Sequence, residues 1–268
     1  MLVNIIGLGK VGQTLAKLLV EHKLATIAGL YNRDAGDIQS RLDFIGEGEY
    51  TNNVESLPCA NLTLITVVDS CISEVAAAYA LNPNLQPGDI VAHCSGVLPS
   101  TCLQSLKHRG VEICSIHPMY SFVDPHLSIQ KYAGTLCAIE GDNAAIMVVQ
   151  KLFTAFGSQV FTVAKDHKAL YHAAGVFASN YLLTLVAQSL NCLQEAKVGQ
   201  EDAFNLVVSL MQSTLNNLVT KKSARDALTG PLKRGDHATL QKHLQAFTSL
   251  EEQYFYTVLA KRTKELLM

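Results

Sequence analysis

The chain has no tryptophan, few charges and no excess of either sign. Only 16% of its 268 residues are Asp, Glu, Lys or Arg, and 21 basic residues face 23 acidic ones for a formal net charge of -2. That excludes the basic footprint expected of a nucleic-acid binder or of a polybasic membrane-surface anchor. Charge this sparse, against a usual share of about 25%, suits an outer surface partly covered by another subunit. The seven cysteines are odd in number and include no CxxC pair, so no disulfide framework is in view. Several sit in apolar runs where a free thiol packs as a small hydrophobe, which points to a reducing, cytoplasmic setting. A G-x-S-x-G elbow and a GxxxxGK[ST] loop are both missing, which removes hydrolase and P-loop readings. Cys114-x-x-His117 offers only two metal ligands, and His167 and His172 are out of phase for one helix face, so no metal site is expected. The opening residues lack a basic leader and a small-residue cleavage site, hence no export signal is expected. The longest apolar run, residues 173–190, carries Ser179, Asn180, Thr184 and Gln188, and reads as a buried helix of a soluble protein rather than a membrane span.

What is present is a hydrophobic share of 49% in a chain long enough for two domains. Residues 2–6, 26–31, 62–68, 90–94, 112–116, 135–139 and 159–162 read as strands, several almost wholly apolar and β-branched, as in a parallel sheet covered on both faces. Helical spacing appears between the first two, through Val11, Leu15, Leu18 and Leu19, and again over 143–156. After about residue 164 strand-like alternation stops. Long helical patterns follow over 166–196 and 200–221, with shorter ones at 238–247 and 250–266, punctuated by Gly199, Gly230-Pro231 and Gly235-Asp236. The expected fold class is α/β: a doubly wound domain over residues 1–163, then an all-helical domain over residues 164–268.

The most specific motif is the opening Gly7-Leu8-Gly9-Lys10-Val11-Gly12, which follows a strand and starts an amphipathic helix. In a Rossmann dinucleotide site the first glycine makes the tight turn, the second lets backbone approach the pyrophosphate, and the third admits the helix against the sheet. The pyrophosphate would rest on the free N–H groups of the first helical turn. At the end of the second strand, where an NAD site wants an acid, stand Asn32 and Arg33, followed by Asp34. A guanidinium suits a 2′-phosphate, so NADP is favoured over NAD. Val67, Val68 and Asp69 after the third expected strand, and Cys94, Ser95 and Gly96 after the fourth, should line the same crevice. The next strand runs into His117 and Tyr120, polar enough to line a pocket for substrate alongside Ser95.

These features together resemble the superfamily of 6-phosphogluconate and 3-hydroxyisobutyrate dehydrogenases, which includes pyrroline-5-carboxylate and ketopantoate reductases. Within it the chain is most similar to poorly characterised Rossmann-like oxidoreductases. The marks are His93-Cys-Ser-Gly96, His117-Pro-Met119, Tyr171-His-Ala-Ala-Gly175 with Ala178-Ser-Asn180, and Thr229-Gly-Pro231 followed by Arg234-Gly-Asp236. The resemblance implies a Rossmann domain, a helical dimerisation domain, a cleft between them and a homodimer. Hydroxyacid dehydrogenases of the superfamily carry a lysine one turn before an asparagine. Asn180 matches the asparagine, but Val176 stands at the lysine position.

His172 is the natural substitute for that acid/base, since an unperturbed imidazole titrates near pH 6.5. Eight residues separate it from Asn180, about 12 Å along a helix, so the two cannot hold one atom of a small substrate together. His172, Asn180 and His117 are the catalytic candidates. Thr229, Arg234 and Asp236 form a Gly/Pro-bounded loop in which Arg234 could clamp a carboxylate, while Asp236 equally reads as the N-cap of the next helix. The leading reading is an NADP-dependent reductase of a small, acidic carbonyl or imine compound. The alternative is a non-catalytic NADP-binding sensor or scaffold.

Overall fold

The structure, a computed structural model, describes residues 1–268 and divides into two compact units, residues 1–181 and 182–268. The first unit opens with β1 (Leu2–Ile6), α1 (Lys10–Glu21), β2 (Thr26–Tyr31), α2 (Ile38–Ile45) and the short strand β3 (Glu49–Thr51). It continues with β4 (Leu62–Ile65), α3 (Ile72–Tyr79), β5 (Ile90–His93), a 3-10 segment (Ser100–Arg109) and β6 (Glu112–Pro118). Then come α4 (Pro125–Lys131), β7 (Leu136–Gly141), α5 (Asn143–Ala155) and β8 (Gln159–Thr162). All eight strands join one sheet in the order β3-β2-β1-β4-β5-β6-β7-β8. The order reverses between β1 and β4, the switch point beyond whose strand ends open α/β sheets bind ligands.

Both faces of the sheet are covered. On one, Leu15, Ala16, Leu18 and Leu19 of α1 pack with Val149 and Phe153 of α5 over Val3, Ile5 and Leu64. On the other, Ile72, Ala76 and Tyr79 of α3 join Leu103 and Leu106 over Ile6, Ile65 and Val91. Each fully buried Val, Leu, Ile or Phe among them contributes about 1.5–3 kcal/mol. The strands therefore need apolar residues on both sides, which is why they read as continuous runs.

Two strands depart from the expected parallel pattern. β7 runs antiparallel to β6, with His117 opposite Ala138 and Ser115 opposite Glu140, and β8 runs parallel to β7. Parallel neighbours need a crossover connection, and the segment joining these two strands makes none; its α4 packs on α1 instead. Along β6 the side chains alternate: Cys114 and Ile116 face the α1 and α5 cluster, Ile113 faces the other, and Ser115 and His117 share the side of Ile113.

The helix expected over 166–196 is interrupted at one residue, Ser179, between α6 (Lys168–Ala178) and α7 (Asn180–Glu195). The second unit continues through α8 (Gln200–Lys221), α9 (Ala224–Ala227), α10 (Gly230–Arg234), α11 (His237–Ala246) and α12 (Leu250–Glu265). The expectation of a buried helix at 173–190 is corrected here. No residue of α7 is buried, and α8 buries only Ala203 and Val207. Leu183 is 67% exposed and Leu210 63%, because the chain supplies no layer over these faces. Residues 165–195 have the length and apolar composition that would cross a membrane, features that core helices of soluble proteins share.

Candidate functional site

The glycine turn between β1 and α1 is built by contacts that leave it no slack. Gly7 has φ +100°, a left-handed value that favours glycine. A Cβ there would stand 2.8 Å from Val67 Cγ1, and one on Gly12 would strike the Gly7 carbonyl oxygen and approach Thr66 Oγ1 at 2.6 Å. Gly9 differs: a Cβ there would meet nothing within 4 Å. The helix that follows has no side-chain cap, so its first-turn N–H groups are donors without an intrahelical partner. Buried Leu8 donates its own N–H to Asn32 Oδ1 at 2.9 Å, and Lys10 is exposed beside the open turn. Val11 packs inward against the core. Open space in front of Gly9 and a cluster of unspent N–H donors are what a pyrophosphate requires, so these residues fit a dinucleotide.

A cleft of about 320 Å³ extends from this turn past Arg33, Val54, Val67, Val75 and Ala78. Its apolar walls suit a flat ring, with Val67 at the turn and Val68, 67% exposed, at the mouth. Asp69 begins the short turn that leads into α3. Arg33 is exposed at the rim and forms no ion pair. Asp34, the acid that could have served a ribose, folds back to accept the Gly36 N–H at 2.9 Å. Asn32 is occupied at both ends: Nδ2 donates to the Asp34 carbonyl at 2.6 Å while Oδ1 holds Leu8. Asn32 thus acts as a brace between two loops.

At the ends of β5 and β6 the structure brings together several expected residues. Gly96 is buried between two imidazoles: a Cβ there would lie 2.5 Å from His172 Cδ2 and 2.8 Å from His117 Cε1. The rings of His117 and His172 are 5.8 Å apart. Tyr171 reaches the same cluster, its hydroxyl 2.9 Å from His117 Nδ1. Burial, with help from the neighbouring charges of His172 and Lys168, pushes His117 down to about 4. Burial raises Tyr171 to about 12, so at neutral pH the imidazole is uncharged and the phenol protonated. Gly175, one helical turn beyond Tyr171, lies against Met119, where a Cβ would come within 3.2 Å of its Cε. The segments His117-Pro-Met119 and Tyr171–Gly175 are therefore packed partners. Tyr120 stacks near Phe122 and Tyr132, at 5.1 and 6.1 Å between rings. Asn180 lies beyond Ser179 at the start of α7 and is exposed.

Lys168 was not among the expected site residues, yet it holds this region together. Only 2% exposed, its Nζ donates to the Ser95 carbonyl at 3.0 Å and to Ser115 Oγ, and pairs with Glu140 Oε1 at 3.4 Å. Glu140 in turn accepts the N–H and hydroxyl of Ser100, each at 2.7 Å. His93, Ser115 and Glu140 stand opposite one another across β5, β6 and β7. His93 accepts the Ser95 N–H at Nδ1, which leaves its Nε2 proton for the Pro99 carbonyl; burial, then the Lys168 charge, pushes it down to about 3. Ser95 is engaged throughout, its hydroxyl accepting the N–H groups of Val97 and Leu98. Cys94 gives its N–H to Ile65, and burial raises its thiol to about 12. The signal in the sequence was faint: Lys168 lies three and four residues before Tyr171 and His172, on their helix face.

In the second unit, Thr229 precedes α10 without capping it through its side chain, and Gly230 and Gly235 have φ of +87° and +68°. Asp236 caps α11, accepting the N–H and hydroxyl of Thr239 at 3.0 and 2.7 Å, and these bonds lower its carboxyl below the usual range. Arg234 is exposed and unpaired by any carboxylate.

Residues 1–118 match the model of a Rossmann-like domain, and residues 135–263 match that of a domain of unknown function (DUF2520). No curated protein matches the chain. Among solved structures, a candidate NADP oxidoreductase from Bacteroides fragilis is similar at 19% identity and TM-score 0.80, covering 98% of both chains. A protein from Thermotoga maritima gives 22% and 0.75, covering 99% of this chain and 98% of that one. An imine reductase from Myxococcus stipitatus in complex with NADP+ gives 14% and 0.69, covering 100% and 93%. At these identities the likeness is one of fold, and the chain has that fold along its whole length: an N-terminal Rossmann β-α-β domain followed by a largely helical C-terminal region.

Proposed function

We propose that the protein is a cytosolic NADP-dependent oxidoreductase that reduces the carbonyl or imine carbon of a small molecule. The observation that carries this reading is the cradle at α1: uncapped N–H donors, open space at Gly9, and Arg33 unpaired at the rim while Asp34 is folded onto its own backbone. The likeness to proteins described with NADP agrees with it. When bound, the reduced cofactor supplies hydride, and the chain supplies position and a proton. Arg33 meets the 2′-phosphate, the α1 amides hold the pyrophosphate, and Ser95 and Gly96 border the nicotinamide half. His117 donates the proton from Nε2, the ring nitrogen that Tyr171 does not touch, while the Tyr171 hydroxyl passes its own proton to Nδ1. His172 flanks that path, its ring 5.8 Å from that of His117.

The exposed apolar faces of α7, α8 and α12 fit a second copy of the chain. Leu183, Leu210, Val219, Leu250 and Tyr254 are each more than half exposed, a greater apolar display than a soluble monomer normally carries.

Calorimetric titration with both cofactors tests the reading. NADPH should bind at least tenfold more tightly than NADH, and Arg33→Ala should remove most of that difference while sparing NADH. Equal wild-type affinities would overturn the assignment.

A further inference from the structure

A fully buried lysine needs a reason, because burial disfavours its charge and its desolvation is costly. Lys168 sits at the first position of α6, not in a cleft, and spends its ammonium on three neighbouring strands. Ser95 follows β5, Ser115 is on β6 and Glu140 on β7. The bond to the Ser95 carbonyl fixes the peptide next to Gly96, the residue on which His117 and His172 converge. The same lysine belongs to the helix that carries Tyr171 and His172, so one side chain sets the distance between that helix and the β5 turn. Apolar residues could fill the volume, but none could hold a carbonyl, a hydroxyl and a carboxylate at once.

We propose that Lys168 is a positioning residue for the nicotinamide half of the cofactor site: it locks the Ser95–Gly96 turn against β6, β7 and α6, and so sets the gap beside the two imidazoles. The proposal rests on the NADP reading given above. It separates the site into two mechanically distinct halves. The adenosine half, built by β1, β2, β4 and α3, has no bond to Lys168. The half beyond β5 depends on it.

The test compares two probes by calorimetry, 2′,5′-ADP for the adenosine half and NADPH for the whole site, in three variants. Lys168→Met removes the ammonium. Lys168→Met with Glu140→Gln removes it without stranding a buried carboxylate. Ser115→Ala deletes one acceptor and leaves the charges alone, so it stays folded if the first two do not. NADPH should weaken at least tenfold in the folded Lys168 variants and about threefold in Ser115→Ala, with 2′,5′-ADP unchanged in all. A merely structural role would shift both probes together or neither. NADPH binding at wild-type strength in Ser115→Ala and in the double variant would overturn the positioning role. Failure of the wild type to bind 2′,5′-ADP would instead defeat the NADP reading beneath it.

Discussion

Replacing Gly9 and Gly12 by alanine, one at a time, separates a glycine needed by a ligand from a glycine needed by the fold. Gly9 has φ -72° and ψ -171°, extended backbone that alanine adopts without strain. Its new methyl would meet nothing within 4 Å in the free protein. Alanine there should leave stability unchanged or raise it by about 0.4–1 kcal/mol, by restricting the unfolded chain. A pyrophosphate on the α1 amides needs the space that the methyl would take. Crowding of that kind costs about 1–3 kcal/mol, which converts to roughly 5–150-fold weaker NADPH binding. Gly12 is the reverse case. Its methyl would collide with the Gly7 carbonyl oxygen and with Thr66 Oγ1 at 2.6 Å, and Thr66 is itself tied to that carbonyl at 2.6 Å. Neither neighbour can yield, so the cost should reach the top of the range of about 1–3 kcal/mol for overpacking, or exceed it. Urea denaturation reads the stabilities and calorimetry the affinities. A Gly9→Ala protein that binds NADPH as the wild type does would refute the reasoning that this turn receives the pyrophosphate.

Two further outcomes are expected. His93 and His117 are held at about 3 and about 4 when folded and titrate near 6.5 when unfolded, so between those values the unfolded chain binds more protons. Stability should therefore fall as pH drops from 7 to 5, by on the order of 1–2 kcal/mol per histidine; an unchanged urea midpoint over that range would remove the two imidazoles from the account. Light scattering at micromolar concentration should give twice the 29.1 kDa chain mass, whereas a single monomeric species would reject the self-association assigned to α7, α8 and α12.

Where burial is repetitive the sequence announced the fold. β1 and β2 fall where continuous apolar runs put them, and α5 follows its Ile146, Val149 and Phe153 spacing. Three residues of β3 and eight each of α2 and α3 are too short to show a period. The antiparallel turn of β7 was hidden because a strand buried on both faces looks alike in either direction. The glycine turn was legible because each glycine answers a local steric demand. The network of Lys168, Ser115 and Glu140 was not, since its members lie 53 and 28 residues from the lysine and meet only through the sheet. Tyr171 belongs to a quoted motif, but nothing local tells that its hydroxyl meets an imidazole on β6.

On the NADP reading proposed above, the brace made by Asn32 restricts how a designer can exchange that cofactor for NAD. The usual step toward NAD places an acid at the end of β2. An aspartate at position 32 would keep the Leu8 bond, lose the donor that ties down the Asp34 carbonyl, and set a negative charge against that oxygen. The acid would arrive with a loosened loop on each side of it. On that reading, a single change at position 32 therefore disturbs the loop as well as the charge, whereas Arg33, exposed and without an ion pair, can be exchanged without touching either bond.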